Sequence, residues 1–147
     1  MLVRSVLVVC VGNICRSPVG ERLLAARLPS LNVTSAGINA LAGHPADRDM
    51  ADVAEAAGLL LAGHHGRQFL PEMGRMSDLI LVMERGHKRE IERLAPHLAG
   101  RTMLFDHWTG ARGIEDPYRQ AQEVHSRVFR ELVAAAEAWA ARLAPGE

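Results

Sequence analysis

The sequence predicts a single α/β domain: a four-stranded parallel sheet with helices on both faces. Three observations predict it. Apolar, β-branched runs alternate along the chain with segments whose apolar residues recur every three or four positions, which is the pattern of βαβ units. The runs over 6–11 and 79–83 carry no charge at any position, so both faces of each strand are expected to be buried, as in a parallel sheet. The chain has 147 residues, 48% of them apolar, with no repeat and no dividing linker. That suits one domain, 1–147, around one sizeable core.

The elements follow in order. The first strand is predicted over 6–11. Ser17 reads as an N-cap, with Pro18 at the first helical position of a helix reaching about residue 28. A short strand over 31–36 ends at Gly37. Asp47 opens a second helix with Met50, Val53, Ala54 and Ala57 on one face and Gly58 past its end. The third strand is expected over 79–83. A helix over 84–94 aligns His87, Ile91 and Leu94. The fourth strand lies over 102–105. The last helix, about 119–143, sets Val124, Val128, Leu132, Ala135, Trp139 and Leu143 on one stripe.

Composition excludes several classes. Lys plus Arg and Asp plus Glu are 17 each, so the formal net charge is zero. A general nucleic-acid or membrane-surface binder needs a basic excess. Cys10 and Cys15 are the two cysteines, too few for a disulfide-stapled scaffold. The opening "MLVRSVLVVCVG" has no small-residue cleavage site, and its apolar run is too short to span a bilayer. The expectation is a cytoplasmic protein without membrane insertion, its thiols reduced.

The chemistry concentrates in "VLVVCVGNICRSP", residues 6–18. In an open parallel sheet, ligands bind beyond the carboxyl ends of the strands where strand order reverses. Cys10 ends the first strand, so it is expected at that edge. A cysteine at a strand end is by itself an ordinary small hydrophobe. The residues after it change the reading. Residues 11–16 join a strand to a helix start, where backbone amides converge and the helix dipole adds positive charge. Gly12 and Asn13 are suited to the positive φ that a tight loop needs. Arg16 supplies a planar fork for two phosphate oxygens. We read Val11, Gly12, Asn13, Ile14, Cys15, Arg16 and Ser17 as a phosphate-binding loop after the first strand. A thiol in such a positive cup favours its nucleophilic thiolate, poised for in-line attack on phosphorus. No Gly-Lys-Ser/Thr and no G-x-G-x-x-G is present, so this is not a nucleotide loop.

The spacing Cys, five residues, Arg, Ser resembles the signature of the cysteine phosphatases. "VCVGNICRSP" lies within the first twenty residues, with Val9 before the cysteine. It resembles the low-molecular-weight protein tyrosine phosphatases. The likeness continues in "SAG" at 35–37, "GHHGRQ" at 63–68, "SDLILVME" at 77–84 and "DPY" at 116–118, and so covers essentially the whole chain. It implies hydrolysis of phosphotyrosine through a phosphocysteine on Cys10, with Arg16 holding the phosphate. A phenolate leaves slowly without a proton donor. "IEDPYR" offers Glu115 and Asp116. The resemblance selects Asp116, and Pro117 restricts it to extended backbone. It further implies that Asn13, Ser17, Ser35 and His64 support the loop, with Ser17 donating to the thiolate.

The chain departs from the eukaryotic members. Tyr118 is followed by Arg119 and not by a second tyrosine, and "GINALAGHPAD" offers only Leu41 where they carry an aromatic. Both features resemble the Gram-negative subgroup that acts with tyrosine autokinases of capsule or exopolysaccharide export. Leu41 and Tyr118 would then line the substrate entrance. The implied partner is a phosphotyrosine protein, a bacterial tyrosine autokinase, met by a monomer or weak dimer that binds no nucleic acid. Cys15 has two open readings: a small core-facing residue, or a thiol that closes a reversible disulfide with oxidised Cys10. The seven histidines are scattered, and His64–His65 lacks ligand spacing, so neither metal nor cofactor is expected.

Other readings fit less well. An arsenate reductase on the same fold passes a disulfide along further cysteines after the third strand, and "MERGHKREIERLAPHLAG" has none. A phosphocysteine sugar-transport subunit needs no pairing of Arg16 with Asp116. A non-catalytic phosphotyrosine-binding module needs no nucleophile.

Overall fold

The computed structural model describes residues 2–144. The ends of the expected 1–147 domain, residue 1 and residues 145–147, lie outside the described residues. Among those described, four strands form one parallel sheet: β1 (Ser5–Cys10), β2 (Asn32–Gly37), β3 (Leu79–Val82) and β4 (Thr102–Leu104), in the order β2-β1-β3-β4. The chain steps from β1 to β2 on one side, and β3 and β4 are added on the other. The strand order therefore reverses beside β1, and the crevice beyond its carboxyl end is where a ligand site forms. Cys10 is the last residue of β1.

Side chains alternate across each central strand, and this divides the core in two. Val6, Val8 and Cys10 of β1 join Leu79 and Leu81 of β3 on one face. There they meet α1 (Arg16–Arg27), α2 (Arg48–Ala56) and α5 (Gln122–Leu143), through Val19, Leu24, Met50, Val128, Leu132 and Trp139. Leu7, Val9, Ile80 and Val82 point to the other face. They pack with Ile91 of α4 (Arg85–Leu94), Leu98 of a 3-10 turn (Pro96–Arg101) and Phe69, which precedes the short α3 (Pro71–Arg75). Helices thus cover both faces of the sheet. Among the described residues, no helix is long and apolar enough to cross a membrane.

Several boundaries differ from the expectation, each for a local reason. Asp47 caps α2 as expected, its carboxylate accepting from Met50 N at 3.1 Å. Gly58, just past that helix, has φ +88°. Ser17 is not the cap of α1: Cys15 holds that position, no side chain caps it, and the helix begins at Arg16. The Ser17 hydroxyl is engaged in the loop below, and tertiary partners outcompete the local cap. The last helix starts at Gln122 and not at residue 119, because Arg119 takes φ +65°, outside helical backbone. Helix α3 and the 3-10 turn were not expected. Each is one or two turns long, too short to establish a period.

Candidate active site

The loop after β1 is built from its carbonyls inward. Cys10 O accepts from Ile38 N, Val11 O from Asn39 N and Gly12 O from Leu41 N, each at 3.0 Å, and Ile14 O accepts from Asp47 N at 2.7 Å. Asn13 O lies 2.5 Å from His64 Nε2. A carbonyl only accepts, so Nε2 carries the ring hydrogen. Burial pushes the His64 pKa down, which keeps the ring in that neutral form. With its carbonyls tied outward, the loop turns its amides the other way. Among the described residues, no backbone carbonyl accepts from the N–H groups of Val11 to Cys15. The open first turn of α1 adds further donors. This concavity of backbone N–H groups is suited to one multiply charged oxyanion.

Two residues make the tight path possible. Asn13 takes φ +58°, a left-handed conformation that Asn tolerates better than most residues. Its side chain locks the turn: Nδ2 donates to Ser17 Oγ at 2.8 Å and to Ser35 Oγ at 3.0 Å, while Oδ1 accepts from Arg67 N at 2.9 Å. Ser35 passes its own hydrogen to Glu21 Oε1 at 2.5 Å. Gly37 lies directly behind the loop, and a Cβ there would collide with the Val11 carbonyl oxygen and crowd Asn13 N. "SAG" therefore supplies one hydrogen-bonding residue and one bare backbone.

Cys10 Sγ is 2.9 Å from Ser17 Oγ. Ser17 Oγ accepts the Asn13 amide, and a thiolate can only accept. In the reactive state the Ser17 hydrogen must therefore point at the sulfur. Cys15 is also buried. Burial, with Asp47, Cys10 and Asp116 nearby, pushes its pKa far up, so this second thiol holds its proton.

Arg16 is 1% exposed. Its Nη1 donates at 2.6 Å to both Glu84 Oε2 and Ile114 O. Nη2 lies 3.7 Å from Asp116 Oδ2. Nε is buried and has no hydrogen-bond partner among the described residues. One edge of the guanidinium is thus saturated, and the Nε/Nη2 edge, the pair that grips an oxyanion in bidentate fashion, is left over. His87 packs beside Glu84, its Nε2 3.8 Å from Oε2. Burial, and next Arg16, push its pKa down to about 4. His87 is therefore neutral near pH 7, and its contact with Glu84 is not an ion pair.

A cavity of about 190 Å³ opens above the loop, lined by Cys10, Val11, Gly12, Ile14, Cys15, Arg16, Asn39, Leu41, Asp116 and Tyr118. Leu41 and Tyr118 are each 37% exposed and form its apolar rim. The Asp116 carboxylate accepts from Tyr118 N at 3.1 Å. Glu115, the other acid of "IEDPYR", turns away to pair with Arg127. Among the residues expected at the site, Asn13, Ser17, Ser35 and His64 stand behind the loop and the rest line the cavity. Asn39 and Glu84 were missed. Glu84 had a faint signal, a carboxylate within two residues of the end of a buried strand adjacent to β1.

Comparison with known proteins agrees along the whole chain. The family model described as low molecular weight phosphotyrosine protein phosphatase matches residues 5–146. The chain is 50% identical over 139 residues to the low molecular weight protein-tyrosine-phosphatase Etp of Escherichia coli K12, covering 95% of this chain and 94% of Etp. The structure of the tyrosine phosphatase Wzb from Escherichia coli K30 with sulphate superimposes with a TM-score of 0.95 at 48% identity, covering 97% and 99% of the two chains. Wzb from Vibrio vulnificus, in complex with benzylphosphonate, gives a TM-score of 0.93 at 44% identity, covering 95% and 99%.

Proposed function

The chain belongs to the low molecular weight phosphotyrosine protein phosphatase family, and from that premise we propose that it hydrolyses phosphotyrosine in proteins through a phosphocysteine on Cys10. The observation that carries the reading is the unpartnered, buried Arg16 Nε beside loop amides that no backbone carbonyl claims. A phosphoryl group satisfies both.

The Cys10 thiolate attacks phosphorus. The amides of Val11 to Arg16 and the Nε/Nη2 edge of Arg16 hold the equatorial oxygens as charge redistributes onto them. The bond from phosphorus to the tyrosyl oxygen breaks, and Asp116 protonates that oxygen as it leaves. Asp116, now a carboxylate, takes a proton from water, whose oxygen displaces the Cys10 sulfur. Inorganic phosphate departs, and Ser17 stabilises the returning thiolate. The experiment is steady-state kinetics on aryl phosphates. Cys10→Ser abolishes turnover while the circular dichroism spectrum stays native. Asp116→Asn slows substrates with poor leaving groups far more than those with good ones; equal slowing removes Asp116 as the acid.

Subgroup likeness supports a narrower substrate: the phosphorylated tail of a bacterial tyrosine autokinase of polysaccharide export, met in the cytoplasm by a monomer or weak dimer. Tyr118 and Leu41 would flank the incoming ring. Asp116→Ala protein used as a trap in lysate should retain a tyrosine kinase. Recovery of phosphotyrosine proteins without any kinase among them overturns this assignment and leaves the phosphatase reading intact.

A further inference from the structure

Behind the phosphate loop, side chains from three elements converge: Cys15 of the loop, Asp47 at the N-cap of α2 and His125 in the first turns of α5. Their sulfur, carboxylate oxygen and ring nitrogen all lie within 4.8 Å of one another. His125 is completely buried. Its Nδ1 is 3.2 Å from Ala121 O, a carbonyl that can only accept, so Nδ1 carries the hydrogen. In the neutral ring Nε2 is then a bare lone pair. Among the described residues it has no hydrogen-bond partner, and it faces Asp47 Oδ2 at 3.5 Å. Two electron-rich atoms facing each other, one of them on a fully buried ring and the other on a mostly buried carboxylate, repel, and the arrangement favours a positive centre between them.

The geometry points to a zinc(II) site whose ligands are Cys15 Sγ, the Asp47 carboxylate and His125 Nε2, with water in the fourth position. The donor set fits that ion. Thiolate, imidazole and carboxylate together suit zinc, while a thiolate argues against magnesium or calcium. Tetrahedral zinc with bonds of about 2.0–2.2 Å to nitrogen and oxygen separates those two atoms by about 3.3–3.5 Å, which matches the Nε2–Oδ2 spacing. Of the three ligands, Cys15 also lines the phosphate cavity. On binding, the Cys15 thiol gives its proton to solvent as the sulfur–zinc bond forms, with no change of oxidation state. The ion ties the loop, α2 and α5 together at a point where Asp47 N already holds Ile14 O. It also occupies the Cys15 sulfur, which is then unavailable to Cys10. The sequence expectation of no metal overlooked this cluster because its ligands come from distant parts of the chain.

The test uses the full chain carrying Cys10→Ser, so that Cys15 is its one thiol. Cobalt(II) should bind one to one with a sulfur-to-metal charge-transfer absorption and tetrahedral ligand-field bands, and zinc should displace it. Cys15→Ser should abolish the charge-transfer band. His125→Gln should weaken zinc at least about tenfold. Asp47→Asn, which keeps a good helix cap, should weaken it comparably. If circular dichroism shows His125→Gln unfolded, the Asp47→Asn protein decides. Absence of the thiolate band overturns the site. So does unchanged zinc affinity in folded His125→Gln or Asp47→Asn protein; a proton on Nε2 would then be what faces Asp47.

Discussion

The cup and the rim of the cavity are built in opposite ways. The cup is held from every side. Its carbonyls are tied to residues 38, 39, 41, 47 and His64, and its turn is locked by Asn13. Its cation is buried at 1% exposure. The rim is open at its side chains: Tyr118 and Leu41 are more than a third exposed, and Asp116 is steadied by one backbone bond and by Arg16 Nη2 at 3.7 Å. The difference separates two tasks. Charge developing on phosphorus needs donors that do not move during reaction. A protein substrate needs a surface that accepts different flanking residues. Substitutions in the cup should therefore act on the chemistry, and those at the rim on which substrate is accepted.

The largest effect that sharpens this contrast lies at Arg16. Lysine keeps the charge but loses the fork, so Arg16→Lys should lower kcat/KM on a small aryl phosphate by about 10²–10³-fold. A loss below about tenfold would mean that charge alone holds the phosphate. An intermediate effect lies at the back of the cup, at His87. Its pKa is about 4 in the folded state and about 6.5 unfolded. The unfolded chain binds the extra proton between those values, so this contribution to stability is complete above pH 6.5 and is lost as pH falls toward 4. At pH 5 the loss is about 2 kcal/mol. Denaturant unfolding at pH 7.5 and pH 5 measures it, and His87→Gln should flatten the difference. An unchanged slope in that variant assigns the pH response elsewhere. The smallest effect lies at the rim. Tyr118→Ala should reduce kcat/KM for aryl phosphates by about five- to tenfold, the worth of one half-exposed aromatic contact, and leave a simple alkyl phosphate nearly unaffected. Equal losses on both would move Tyr118 from rim to cup.

Legibility along the sequence follows the range of the interaction involved. β1 and β3 were readable because a strand buried on both faces leaves a continuous apolar run, whereas β2, with Asn32, Thr34 and Ser35 among its six residues, carries a weaker signal. The α2 cap was readable because Asp47 and Met50 N are three residues apart. Asn13 and Gly12 were both candidates for the tight turn, and the structure uses Asn13, whose amide can also bond to Ser17 and Ser35. Ser17 shows the limit. Its position before Pro18 has the local signature of a cap, yet its oxygen meets Cys10 and Asn13, which become neighbours only when the loop closes.

The sequence by itself determined the alternation of strand and helix, the place of Cys10 at a strand end and the guanidinium six positions later. These follow from side-chain periodicity and from the length of loop that encircles a phosphate. Tertiary structure alone decided which edge of Arg16 stays open, because Glu84 and Ile114 are brought to Nη1 only by the pairing of β1 with β3 and by the return of the chain after β4. It alone decided that Asp116 faces the cavity and Glu115 does not. It alone gathered Cys15, Asp47 and His125 behind the loop. Periodicity records which face of an element is buried, and it carries no information about which polar atoms of two distant elements will meet.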